Sequence, residues 1–330
     1  MKKRILSLLL CGAMLFTFCF QSVLAAVDGQ TETECICTSL CAAESVDEDC
    51  PVCSTENADF ALCEGESETA VPSNSEEVYH VEGNAEGGAY LIAGADVPYL
   101  GANGSQQNCG SYTVVEATTT AWNEGWYVAQ GDVTVPEAVT LGGDVHIILM
   151  DGCSLTVDGG IGCIEGASLT IYAQSTGDEM GKLTAIGGNT EGSSIGINVY
   201  KGGITINGGA VIGIGGTPTP NPEEGYADVT SGVYAYMGSI TVNGGSLTAT
   251  GGKDIDYSFG IYGQNITVTG GTVTAIGEQA KLSSAGIYVV DLLTVNGGTV
   301  YATAGNAKYD SKGIISPRSG SCVINGGVVT

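Results

Sequence analysis

Two signals that recur in phase along a glycine-rich chain predict an all-β fold. The predicted form is a right-handed parallel β-helix, a solenoid with three short strands per coil, preceded by a small Cys-rich segment and a flexible linker. The first signal is Asn-Gly-Gly, at Asn207-Gly208-Gly209, Asn243-Gly244-Gly245, Asn296-Gly297-Gly298 and Asn325-Gly326-Gly327, with Thr269-Gly270-Gly271 as an imperfect copy. The second is Ser/Thr-x-Gly-Ile/Val, beginning at Ser194, Thr230, Ser258, Ser284 and Ser311. Glycine pairs follow one another at steps of 36, 26, 27 and 29 residues, and the long step carries the insertion TPTPNPEEGYADV at 217–229. A left-handed solenoid would need tight hexapeptide repeats, which are absent. A β-sandwich, the alternative, has no reason to keep both signals in phase.

The first element, residues 1–25, reads as a signal peptide. Lys2, Lys3 and Arg4 precede an apolar run from Ile5 to Phe20, and Val23-Leu24-Ala25 offers small residues for cleavage. The run is short for a membrane anchor, so the mature chain is expected to be exported, secreted or at the cell surface, with no membrane insertion after cleavage. Residues 26–63 form the Cys-rich segment, with Cys35, Cys37, Cys41, Cys50, Cys53 and Cys63 among too few apolar side chains for a core. Six cysteines in an exported stretch read first as three disulfides. Cys50-Pro-Val-Cys53 also has the spacing of a zinc knuckle, so a structural zinc site is the alternative. Residues 64–110, with EGESETAVPSNSEE, have the low hydropathy and like charge of a tether; His80 lies there alone.

The solenoid occupies residues 111–330. In one unit the strands are GVYAY, ITVNG and SLTAT. Because strand residues alternate faces, Val233, Ala235, Ile240, Val242, Leu247 and Ala249 are expected inward, and Tyr234, Tyr236, Thr241, Ser246, Thr248 and Thr250 outward. So few apolar residues make no core in one unit, but stacked at ~4.8 Å per layer they form a continuous one, each fully buried Val, Leu or Ile contributing roughly 1.5 to 3 kcal/mol. Asn207, Asn243, Asn296 and Asn325 are expected to turn the chain in left-handed backbone and to bond amide to amide along the axis as a structural ladder. The Ser/Thr column is likewise structural. Cys153 and Cys163 either pair or, with Cys109 and Cys322, serve as small apolar residues. The sequence stops at Thr330 inside a third strand, which reads as a piece of a longer protein.

Charge narrows the partners. Formal net charge is −26, and no Lys or Arg occurs from Ile5 to Gly181. Such a field repels nucleic acid and anionic lipid; for most acidic proteins it serves solubility, with calcium the one cation it invites. No Gly-X-Y period is present, which excludes collagen.

GWYVAQGDVTV, DVHIILMDGCSLTVDGGI, SLTIYAQ and the repeated ITVNGGSLTATGG resemble the right-handed β-helix surface proteins of anaerobic Gram-positive bacteria described as containing carbohydrate-binding domains, over about residues 120–330. The Cys-rich segment is similar to those near the mature N-termini of such proteins. The resemblance implies a fold shared with polysaccharide lyases of the pectate-lyase type and binding of acidic plant polysaccharides, with calcium held by Asp-Gly-Ile turns. Here Ile195, Ser231, Phe259, Ala285 and Lys312 stand where that Asp would be, and Asp254, Asp256 and Asp310 do not repeat in register; no cofactor or metal is therefore assigned. The first functional expectation is a non-catalytic adhesin-like module for a polysaccharide or cell-surface glycan, carried by an outward column of Tyr234, Tyr262 and Tyr288, broken by Asn198 and Ile315. A lyase is the second reading, needing a base and a cation from Lys201, Lys253, Lys281, Lys308, Lys312 or Arg318. A passive stalk is the third, although a stalk has no need of the insertion at 217–229. His146 reads as structural.

Overall fold

The computed structural model describes residues 91–163, 165–219, 228–317 and 320–330. The signal peptide, the six cysteines of the N-terminal segment, His80, Arg318 and most of the insertion lie outside the described residues. The described residues belong to one compact unit, and every regular element described in it is a β-strand.

The strands fall into three stacked columns. One is an 8-stranded sheet running through Asp132–Val135, Ser154–Gly159, Lys182–Gly187, Ala210–Ile214, Ser246–Thr250, Thr272–Gly277, Thr299–Ala304 and Val328–Val329. The other two belong to a 15-stranded sheet. In the second column Val145, Leu169, Ile204, Ile240, Ile266 and Leu293 lie in register. In the third, Val139, Ile161, Ile197, Val233, Ile261, Ile287 and Ile314 do. All these pairings are parallel. Like side chains therefore cover one another layer by layer, and the interior becomes one contiguous apolar cluster from Val115 to Ala302. All six residues expected inward in the unit from Val233 are buried.

Two of the strands read separately from the sequence are fused. Val229–Val242 is one element whose pairing register shifts between Ala235 and Ser239, where Met237 takes a φ of 54°. The chain changes column there without leaving the sheet. At the five Asn-Gly-Gly or Thr-Gly-Gly turns, the left-handed backbone falls on the second glycine, for example Gly245 at φ 67°, and not on the asparagine. The first glycine is needed for space, since a Cβ on Gly270 would lie 2.4 Å from the Asn243 carbonyl one layer below.

The asparagines do form rungs. Asn243 Nδ2 donates to Asn207 Oδ1 at 2.8 Å and Asn325 Nδ2 to Asn296 Oδ1 at 2.8 Å. Thr269, the imperfect copy, donates its hydroxyl to Asn243 Oδ1 at 2.7 Å. The Ser/Thr column is buried at Ser194, Thr230, Ser258 and Ser284, and each hydroxyl bonds the backbone that leaves the 8-stranded sheet. Thr230 Oγ1 accepts from Gly252 N at 2.6 Å, Ser258 Oγ from Glu278 N at 2.9 Å and Ser284 Oγ from Gly305 N at 3.0 Å. These hydroxyls fasten one corner of each repeat, and among the described residues no buried side-chain polar atom lacks a partner.

The stretch read as a tether is strand at its C-terminal end. Leu91–Leu100 and Gln106–Val114 form an antiparallel hairpin that joins the parallel sheet at Tyr127 and Val128. Tyr99 packs on Trp126 and Tyr172, with ring centroids at 5.0 and 4.8 Å, and with Val97, Tyr112 and Ile148 makes a second, outer core. His146 stacks on Trp126 at 4.6 Å and faces the Tyr172 hydroxyl at 3.4 Å. Cys153 lies inside the main core, Cys109, on the hairpin's second strand, is buried in the outer core, and both are free thiols, as are Cys163 and exposed Cys322.

Candidate functional site

The Ser/Thr-x-Gly-Ile/Val signal bends the strand that carries it. Gly232 passes so close to the 8-stranded sheet that an added Cβ would lie 2.4 Å from Thr250 N and 2.5 Å from the Gly213 carbonyl. Gly232 and Val233 are both buried, so the alternation of faces breaks there, and the outward residues on either side, Val229 and Tyr234, line the same depressions. Stacked over successive layers, the bend becomes a groove.

Three columns line it. One wall is Ser193, Val229, Tyr257, Ser283 and Asp310; the opposite wall is Asn198, Tyr234, Tyr262, Tyr288 and Ile315. Between them runs the column Ile195, Ser231, Phe259, Ala285 and Lys312, of which Ile195 and Phe259 reach the surface of the depressions as floor while Ser231 and Ala285 are fully buried beneath. Phe259, Ala285 and Ile315 form an apolar cluster of their own, flanked by Val229, Tyr257, Tyr262 and Tyr288. The groove holds three depressions, of about 270, 440 and 400 Å³. Neighbouring depressions share lining residues, Ser193, Ile195 and Asn198 between the first two and Val229 and Tyr234 between the last two, so they form one continuous trough.

The three tyrosines expected in one column are together. Tyr234 and Tyr262 have ring centroids 4.4 Å apart with planes 17° from parallel, and Tyr262 and Tyr288 stand at 5.1 Å and 7°. Coplanar rings at that distance would overlap, so these rings stack face on face along the axis. Their faces are turned to one another, and the groove receives ring edges and hydroxyls rather than the flat platform the alternation alone suggests. Tyr236 extends the stack sideways, its ring 7° from that of Tyr234 and 6° from that of Tyr200, and Phe259 tilts beneath Tyr262 and Tyr288 at 42° and 46°. Burial pushes the Tyr234 phenol well above its usual range, and Tyr262 and Tyr236 add to the effect. Burial also raises Tyr262 and Tyr288. All three hydroxyls stay protonated at neutral pH, able to donate and to accept.

Sequence reasoning found the tyrosine column and missed Tyr257, Tyr200 and the floor. The signal was present, because the x of Ser/Thr-x-Gly-Ile/Val is the floor position. The insertion at 217–229 leaves from the groove margin: Thr219 bridges to Glu191, and Val229, on its return, is a wall residue.

Four of the lysines weighed for catalysis stand against acids. Lys201 meets Glu165, Lys253 meets Glu278 at 3.6 Å, Lys281 meets Asp256 at 3.6 Å and Lys312 meets Asp310 at 2.7 Å. Lys308 lies over the Tyr309 ring at 4.9 Å. The hydrogen bond to Glu165 raises the Lys201 ammonium above its usual range, away from the free amine that base catalysis requires. Asp254, Asp256 and Asp310 do not converge; Asp254 accepts from Gln279 at 3.1 Å and Asp256 from the Asp228 backbone N–H at 3.1 Å. Searches of family models, of curated proteins and of solved structures find no match for this chain.

Proposed function

We propose that this chain is an exported surface protein whose repeats wind as a right-handed parallel β-helix, and that its outer groove binds glycan without performing chemistry on it. The winding is supported by three columns of parallel strands visited in the same order by successive repeats. The observation that carries the binding reading is the trough itself. It is continuous, walled by stacked tyrosines and floored by Phe259, with hydroxyl and amide groups at its edges. Ring edges over an apolar floor suit the C–H faces of a sugar, and phenol, serine and asparagine groups suit its hydroxyls. The paired lysines favour binding over catalysis.

A stiff stalk is the reading with which this one competes. It leaves unexplained why an aromatic floor is kept in an open groove, and why the insertion departs beside it. A glycan array probed with the secreted chain, beside a Tyr234→Ala/Tyr262→Ala/Tyr288→Ala variant of matched circular dichroism, separates the readings. Binding by the intact chain and its loss in the variant are expected. No binding by the intact chain supports the stalk, and equal binding by both removes the tyrosines from the site. Falling viscosity of an acidic polysaccharide with rising ultraviolet absorbance would establish a lyase instead.

A further inference from the structure

The charge of the groove narrows what it can hold, on the premise that the groove is a glycan site. Among the residues lining the three depressions, Asp310 is the one charged side chain described, and it is an acid. The cation nearest to it, Lys312, is engaged with that same carboxylate at 2.7 Å. Asp256, next to the wall residue Tyr257, holds Lys281 at 3.6 Å. Recognition of carboxylate or sulfate calls for Arg, Lys or a bound cation at the contact. The described lining of the three depressions supplies none, and Lys312, at the end of the central column, is held by Asp310; the chain as a whole carries a net charge of −26. A polyanion would meet repulsion with nothing to offset it.

The layout of polar groups fixes a direction as well. Along one wall Thr140, Gly162, Asn198, Tyr234, Tyr262, Tyr288 and Ile315 follow each other in register. Six parallel steps of ~4.8 Å give a trough roughly 29 Å long. A hydroxyl or amide returns at most of those steps, a spacing comparable with one sugar unit of an extended chain. A polymer lying along the stacking axis meets a similar set of contacts at each unit, whereas one lying across it crosses a single layer.

We infer that the groove takes a neutral, linear glycan laid along the stacking axis, and discriminates against uronate, sulfate and sialate polymers. The phenols support this without carrying it. Burial keeps them protonated, so each presents a neutral donor as well as an acceptor.

The test is affinity electrophoresis of the full secreted chain through gels containing neutral polymers (galactan, xylan, mannan or β-glucan) or acidic ones (polygalacturonate, alginate). Carboxyl-reduced polygalacturonate is included as a polymer with the acid's backbone and no charge, and each gel is run at low and at high salt. The expected result is retardation by at least one neutral polymer, changed less than about twofold by salt and lost in Tyr262→Ala. Reduced polygalacturonate should also retard the chain at least as strongly as its parent. Binding of the acidic parent more tightly than every neutral polymer overturns the inference and leaves the glycan site standing. Binding of none of them overturns both. Retardation by short neutral oligosaccharides equal to that by the polymer would defeat the axial placement alone.

Discussion

Replacing Asn243 with alanine tests the rungs that tie successive turns. Its side chain makes two hydrogen bonds, donating to Asn207 Oδ1 at 2.8 Å and accepting from Thr269 Oγ1 at 2.7 Å. A typical intramolecular hydrogen bond contributes about 1 kcal/mol net. Asn243 and Asn207 are half-buried, so water replaces the lost partners only in part, and Asn243→Ala is expected to cost about 2 kcal/mol. Asn325 is the internal comparison. It is exposed and makes one side-chain bond, to Asn296 Oδ1 at 2.8 Å, so Asn325→Ala should cost no more than about 1 kcal/mol. Urea unfolding followed by far-ultraviolet circular dichroism reads both from the midpoint, provided the slope is unchanged. If Asn243→Ala costs no more than Asn325→Ala, stacked amides do not hold the turns, and the asparagines serve chain reversal alone.

Three further outcomes follow from burial and charge. Leu247 is 0% exposed between Val211 and Val273 in register, so Leu247→Ala should cost about 2 to 5 kcal/mol, while Thr248→Ala on the outer face stays within about 0.5 kcal/mol; equal costs in urea unfolding would contradict the assigned faces. Burial raises the Tyr234 phenol in the folded state, so above the ordinary tyrosine value of about 10 the unfolded chain loses its proton first and stability falls as pH rises. Tyr234→Phe should flatten that alkaline fall, and absorbance at long ultraviolet wavelength should show late-ionising tyrosines; titration of every tyrosine near the ordinary value would refute the buried ladder. His146 is lowered by burial, with Asp144 opposing, so below about 6.5 the unfolded chain takes up the proton first and stability falls as pH drops. His146→Phe keeps the stack on Trp126 and should remove that part of the acid loss, read from urea midpoints between neutral and mildly acidic pH; an identical profile would show that the ring titrates as if in water.

Much of the fold was legible because stacking writes itself into sequence as a period. Each repeat places the same residue type at the same point of its parallel strands, so Asn-Gly-Gly and Ser/Thr-x-Gly-Ile/Val recur together, and alternation within Val233–Ala249 assigns every inward residue. The hairpin at 91–114 carries no copy of either signal, because it pairs antiparallel and packs through Tyr99 and Tyr112, so its alternation was submerged in a polar stretch. The fused strand Val229–Val242 looked like two strands, since a register shift at Met237 and Gly238 resembles a turn in sequence. At the site, alternation could place Tyr234, Tyr262 and Tyr288 in one column but could not say whether rings lie flat or stand face to face. That depends on the separation of layers, which is too small for flat-lying neighbours. Phe259 escaped notice because its column is otherwise small, polar or aliphatic, and only the bend at each glycine turns that column into a floor.

Like positions of successive repeats lie side by side in parallel register. Thr248 and Thr274 are such partners, both on the outer face of the 8-stranded sheet. Parallel neighbours ~4.8 Å apart fall within the span a disulfide bridges, whereas a two-residue offset puts Cα atoms roughly 8 Å apart, beyond it. Mild oxidation of Thr248→Cys/Thr274→Cys, with the linked peptides identified by mass spectrometry, should give the intramolecular crosslink rapidly, and Thr248→Cys/Thr272→Cys should give little. Equal crosslinking of the two pairs, or preference for the offset pair, would mean that the coils do not stack this way.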